Sequence, residues 1–249
     1  MEHTMNLNDV LVRFAQYQEQ ARKILNPSCR VCKICNGVAC AGRYTNALEF
    51  GAKGNNGGFL NAVRGLADIR IELDPIHEDY IPDTSCSFFG KQFDLPVFAS
   101  PIAKILTNYT FDSPFFNNNG AYADALIKGC YHAGGMAWLG DNKEEGYFPG
   151  QVAPIREVDG VAVPTIKPWA DREEFWKRVK WCQEVGAMAI ATDLDAIGLG
   201  YQYSGKVGSK NEGVCSRTVE ELKEIVERID RPVVIKGIMS VKAAVKCKE

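Results

Sequence analysis

From Pro96 onward the chain alternates short apolar runs with helix-patterned stretches, and few folds accept that alternation. Residues 97–100, 136–139, 161–166, 187–192 and 233–236 are apolar and β-branched enough for buried strands. Between them, residues 121–133, 171–185 and 218–229 carry helical spacing. Asp171 with Glu174, and Thr218 with Glu221, have the spacing of capping boxes, while Gly134 and Gly186 supply stops. Ser240 reads as the cap of one more helix. Parallel neighbours need crossover connections, so the pattern predicts an α/β fold with a parallel sheet. Five strands suit an open doubly wound sheet or part of a barrel, and periodicity does not choose between them.

Upstream, residues 8–25 place Val10, Leu11, Phe14, Tyr17, Ala21, Ile24 and Leu25 at helical spacing, and Pro27 stops that run. A cysteine- and glycine-rich segment follows over residues 29–58, and residues 60–73 read as mixed helix or strand. Two regions are expected: a helical and cysteine-rich segment over 1–73, and the strand–helix region over 74–249.

A net charge of −2 offers no basic field for nucleic acid and no polybasic membrane patch. The amino terminus lacks the apolar run of a signal peptide, and no stretch is long enough to span a bilayer. A cytoplasmic location is the expectation, in which the nine cysteines are reduced thiols or metal ligands. Cys29, Cys32, Cys35 and Cys40 follow C-x2-C-x2-C-x4-C, closer to iron–sulfur ligation than to a zinc ribbon. A structural zinc or a loop of free thiols stays open beside the cluster. Cys86, Cys130, Cys182, Cys215 and Cys247 are scattered and read as small core residues.

The run Val233-Val234-Ile235-Lys236-Gly237-Ile238 reads as a buried parallel strand with its cation at the carboxyl end. A charge held there can stabilise an anion, a phosphate or an electron-rich ring. His77 and His132 read as satisfied structural histidines, since neither follows a strand.

Four strings in order resemble the FMN-dependent α-hydroxy-acid dehydrogenase/oxidase family, which includes glycolate and lactate oxidases. They are Pro82-Asp83-Thr84-Ser85-Cys86-Ser87-Phe88-Phe89-Gly90-Lys91, Leu95-Pro96-Val97-Phe98-Ala99-Ser100-Pro101-Ile102-Ala103, Ala189-Ile190-Ala191-Thr192-Asp193-Leu194-Asp195, and the run from Pro232 to Ile238. The resemblance implies a TIM (β/α)8 barrel with FMN at its carboxyl-end face, present here as an incomplete barrel of about five strands.

By that resemblance Pro101, Ile102 and Ala103 would meet the flavin edge and Lys236 its N1 side. Gly140 stands where the family has Ser, Thr165 where it has Gln, and Asp193 where it has Thr. Lys167 replaces a substrate-contacting Tyr and would pair with a carboxylate, and Tyr201 or Gln202 lies near the position of an acid-binding Arg. The family's catalytic His would fall beyond Glu249. The resemblance therefore implies the amino-terminal part of a longer protein, with little turnover alone and unclosed edges that favour self-association. The implied reaction takes a small 2-hydroxy acid of the lactate or glycolate kind to the 2-oxo acid. Two other readings stand beside it: a barrel lyase with Lys236 as Schiff-base nucleophile, and a non-enzymatic cysteine-rich metal module.

Overall fold

The computed structural model describes residues 6–25, 31–36, 38, 57–103, 120–142, 146–196 and 213–248. They fall into two units, one holding the described residues up to Pro75 and the other those from Ile76. In the first unit, α1 runs Leu7–Leu25, and Asn6 opens it by accepting the Asp9 amide at 3.0 Å. Arg22 Nε donates to the Val31 carbonyl at 3.2 Å, which ties the following chain back to the helix. The stretch of mixed pattern resolves into helix α2 (Gly57–Asp68) followed by chain with no helix or strand. No described helix is long and apolar enough to cross a membrane.

The second unit opens with a hairpin, β1 (Cys86–Phe88) against β2 (Lys91–Phe93). Its turn residues Phe89 and Gly90 have φ of 48° and 77°, the left-handed pair that matches strand twist in a two-residue loop. A parallel sheet follows, made of β3 (Ala137–Leu139), β4 (Ala162–Ile166), β5 (Ile190–Asp193) and β6 (Val233–Lys236), adjacent in chain order. Of the run expected as a strand over 97–100, only Ala99 pairs, through a single parallel bridge to Ala137. The run expected over 187–192 pairs later, from Ile190 to Asp193, because Ala187 and Met188 are engaged by Cys182 and Gly160 carbonyls in the turn before it.

Helices α3 (Ala121–His132), α4 (Tyr147–Val152), α5 (Arg172–Glu184), α6 (Val219–Arg228) and α7 (Val241–Lys248) connect or follow these strands. A 3-10 turn, Ala153–Val158, continues α4. Thr218 and Glu221 make both bonds of a capping box on α6. On α5 only one half of the box forms: Asp171 accepts the Glu173 and Glu174 amides, and the Glu174 carboxylate turns to Arg178. Ser240 Oγ accepts the Ala243 amide at 3.1 Å and caps α7.

Strand alternation divides the side chains between two faces. Ala162, Ile166 and Ile190 pack outward with Ile127, Phe148, Phe175, Val179 and Ile225 of the helices and their connections. Val161, Val163, Ala189 and Ala191 gather on the other face with Met136 and with Phe93 of the hairpin. Burial on both faces accounts for the continuous apolar runs read in the sequence.

The scattered cysteines are not uniformly core. Cys182 is buried, Cys86, Cys130 and Cys215 are half-buried, and Cys247 is exposed near the end of the last helix. His77 and His132 are exposed rather than buried; His77 bonds the adjacent Glu78 carbonyl at 2.9 Å and meets the Tyr80 ring edge-on, as His132 meets Tyr131.

Candidate functional site

The inner face of the sheet turns polar at the carboxyl ends of its strands. Val163, Ala191 and Val234 belong to the inner cluster. Two residues further along each strand, alternation delivers Thr165, Asp193 and Lys236 to the same face. Asp193 and Lys236 are direct partners in the β5–β6 register, while Thr165 is paired with Ala191. Gly140 and Thr165 each follow directly on the register pair Leu139–Pro164.

Lys236 Nζ lies 2.6 Å from Asp193 Oδ1 and 2.9 Å from Asp195 Oδ1. On its other side Asp193 presents Oδ2 to Lys167 Nζ at 4.0 Å. Two ammonium groups and two carboxylates thus alternate across the ends of β4, β5 and β6. Burial alone would lower the Lys236 pKa, but hydrogen bonds to Asp193 and Asp195 override it and leave it above the ordinary value. Burial first, then the Asp195 carboxylate, raise the Asp193 pKa against the pull of Lys236. A lysine so clasped is favoured as an ammonium, the opposite of the free amine of depressed pKa that Schiff-base chemistry needs.

Gly237 makes the Asp195 contact possible. Its φ is 93°, and a Cβ there would lie 2.6 Å from Asp195 Cβ and 2.7 Å from Oδ1. Gly140 serves a different close approach, since a Cβ on it would stand 2.7 Å from the Ala103 nitrogen and 2.8 Å from the Ile102 carbonyl carbon. The main chain at Ile102 and Ala103 therefore lies directly against the residue that follows β3. Thr165 is buried, and its Oγ1 has no hydrogen-bond partner among the described residues.

A second polar network lies on the outer side. Asp141, just past β3, accepts from the Lys167 amide at 3.0 Å, from Trp169 Nε1 at 2.6 Å and from Arg178 Nε at 2.9 Å. Burial pushes the Asp141 carboxyl upward and Arg178 pulls it back. With N–H donors on both oxygens, the carboxylate is the form this pocket accepts. The network holds the β4–α5 connection in place and with it the Lys167 backbone. Sequence reading missed it, although Arg178 stands inside the apolar stripe Phe175, Val179 and Cys182 of α5, where an arginine is not left unpaired.

Of the residues expected to meet a cofactor, Thr165, Asp193 and Lys236 share one face with the expected substrate contact Lys167. Ile102 and Ala103 meet Gly140 at the end of β3, and Pro101 directly precedes them in the chain. Cys29 and Cys40 lie outside the described residues, as do Tyr201 and Gln202. Cys32 is half-buried and Cys35 exposed, both as free thiols.

No protein-family model matches this chain, and no curated protein matches it either. Solved structures do. A lactate oxidase of Pediococcus acidilactici is similar with a TM-score of 0.61 at 13% identity, over 94% of this chain and 62% of its own. Mandelate oxidase with benzoyl-formic acid gives a TM-score of 0.59 at 18% identity, over 93% of this chain and 63% of that one. An active chimera of (S)-mandelate dehydrogenase gives 0.59 at 12% identity, over 94% and 67%. The fold is the one these proteins share, and this chain spans about 62% of the lactate oxidase's length.

Proposed function

We propose that the chain is the FMN-holding part of an oxidoreductase that takes a small 2-hydroxy acid to its 2-oxo acid. The observation that carries this reading is Lys236, an ammonium on the inner face at the carboxyl end of β6. It stands on a fold shared with lactate and mandelate oxidases. The surrounding residues suit a flavin in three respects: a buried threonine hydroxyl without a partner, a fixed cation, and main chain pressed against a glycine.

In this reading Lys236 holds the electron-rich pyrimidine edge of the ring, and Thr165 Oγ1 donates to a ring heteroatom. Pro101, Ile102 and Ala103 lie along the flavin edge beside Gly140. FMN, when bound, accepts the two electrons and the α-hydrogen of the hydroxy acid. Lys167 attracts the substrate carboxylate, its ammonium kept at the strand end by Asp193. His77 and His132 do not take the hydroxyl proton, because one precedes the sheet and the other ends α3, ahead of β3. The base belongs to a residue other than these two.

Titration of the purified chain with FMN, followed by quenching of flavin fluorescence, tests the reading. Saturable binding that Lys236→Met weakens by about tenfold or more is expected. Absence of quenching at concentrations well above those of ordinary flavoproteins overturns it.

A further inference from the structure

Asp193 is a feature of this end of the sheet that works against a flavin, and its placement is built rather than incidental. A carboxylate on the inward side of a strand end is costly to bury unless it is paired. Here the backbone register itself sets it opposite Lys236, so the pair does not depend on two long side chains finding each other. The contact is short, 2.6 Å, and Asp193 keeps only 19% of its side-chain surface exposed. Asp195 adds a second carboxylate from the 3-10 turn after β5, and Gly237 leaves room for it. With Lys167 facing the other Asp193 oxygen, the four charges sum to zero.

An anion that approaches Lys236 must therefore compete with Asp193 for the same ammonium. We infer that Asp193 is a resident counter-ion that occupies Lys236 and holds down the affinity of this strand-end site for anionic, electron-rich rings. The inference rests on the flavin reading above and gives it a direction. Asp193 acts through Lys236, as a positioning residue. A flavin bound here is held more weakly in its reduced, anionic form than at a lysine without a partner, so its potential sits lower. The same balance disfavours oxyanions such as sulfite adding to the ring, because the negative adduct would lack a free cation beside it.

The test compares the full chain with Asp193→Asn, Asp193→Thr, Lys236→Met and the double variant Asp193→Asn/Lys236→Met. FMN affinity is read by fluorescence quenching and the midpoint potential of bound FMN by dye-linked spectroelectrochemistry. Both Asp193 variants are expected to favour the reduced over the oxidised ring by about tenfold relative to the unaltered chain, a shift of about +30 mV for a two-electron couple. Lys236→Met should shift the potential the other way, and adding Asp193→Asn to it should change nothing further. Using two replacements at 193 keeps the result readable if one of them folds poorly.

FMN binding with unchanged potentials in both Asp193 variants overturns the inference and leaves the flavin reading standing. Equal shifts with and without Lys236 overturn it too, because Asp193 would then act on the ring directly. If none of the five proteins binds FMN, the flavin reading and the inference fall together.

Discussion

Arg178 Nε donates to Asp141 Oδ1 at 2.9 Å, with the two side chains 4% and 0% exposed. The pair joins the end of β3 to the middle of α5. The guanidinium is also stacked 4.9 Å from the Trp169 ring centroid, and Trp169 Nε1 donates to the same carboxylate. Removing Arg178 leaves the buried Asp141 carboxylate with the Lys167 and Trp169 N–H donors but without its counter-charge. Arg178→Met should cost about 3–5 kcal/mol of unfolding free energy. A double replacement, Arg178→Met with Asp141→Leu, should cost clearly less than the single one. Urea unfolding of the three proteins decides this, and a double variant at least as unstable as the single would refute it.

Gly237→Ala should destabilise by about 1–2 kcal/mol from left-handed backbone alone, with the Asp195 clash added to that. It should also detach Asp195 from Lys236, because the new methyl takes the carboxylate's place. Thermal unfolding reports the first effect. A drop in the Lys236 ammonium pKa, followed by NMR of its side-chain nitrogen, reports the second. An unchanged ammonium pKa would mean Asp195 contributes nothing to it.

The raised pKa of Asp193 fixes a pH dependence. The folded chain keeps a proton on Asp193 over a pH range in which the unfolded chain, titrating at about 3.9, has lost it. Across that range the native state binds more protons, so stability falls as pH rises from about 3.9 through the native value. Asp193→Asn should abolish this part of the slope. Urea midpoints measured at half-unit pH steps would reveal it, and parallel curves for the two proteins would rule it out.

The free thiols should react in the order of their access. Among the described cysteines, Cys35 and Cys247 are exposed and should be alkylated first. Cys182 is fully buried, and burial raises its pKa far above the ordinary thiol value, so it should react only through global unfolding. Mass spectrometry of timed iodoacetamide reactions gives the order directly. Early labelling of Cys182 would show that α5 opens locally.

The elements with local signals were legible in the sequence. Thr218 and Glu221 announce α6 because a capping box is made by residues three apart. Val233–Lys236 is found where its apolar run ends at Lys236 and Gly237, although its four residues are half-buried rather than buried as the run suggested, because β6 is the last strand of the described sheet. The hairpin of β1 and β2 went unread, although Gly90 between two short alternating runs was its signal. Residues 97–100 look like any other strand, yet pair only at Ala99, because pairing depends on a neighbour distant in the chain.

In the site, Lys236 was legible from its strand-end position. The clasp of Asp193 and Asp195 on it was not, because register between β5 and β6 is invisible to spacing within either strand. The Asp141–Arg178 pair escaped for a similar reason, its members lying 37 positions apart.

The sheet's neighbours in space are its neighbours in the chain, β3 beside β4, β4 beside β5 and β5 beside β6. Each strand leaving the ribosome therefore meets a docking edge that its immediate predecessor has already laid down. Assembly can proceed by accretion, one strand and its covering helix at a time, and no intermediate has to hold a gap open for a segment not yet synthesised.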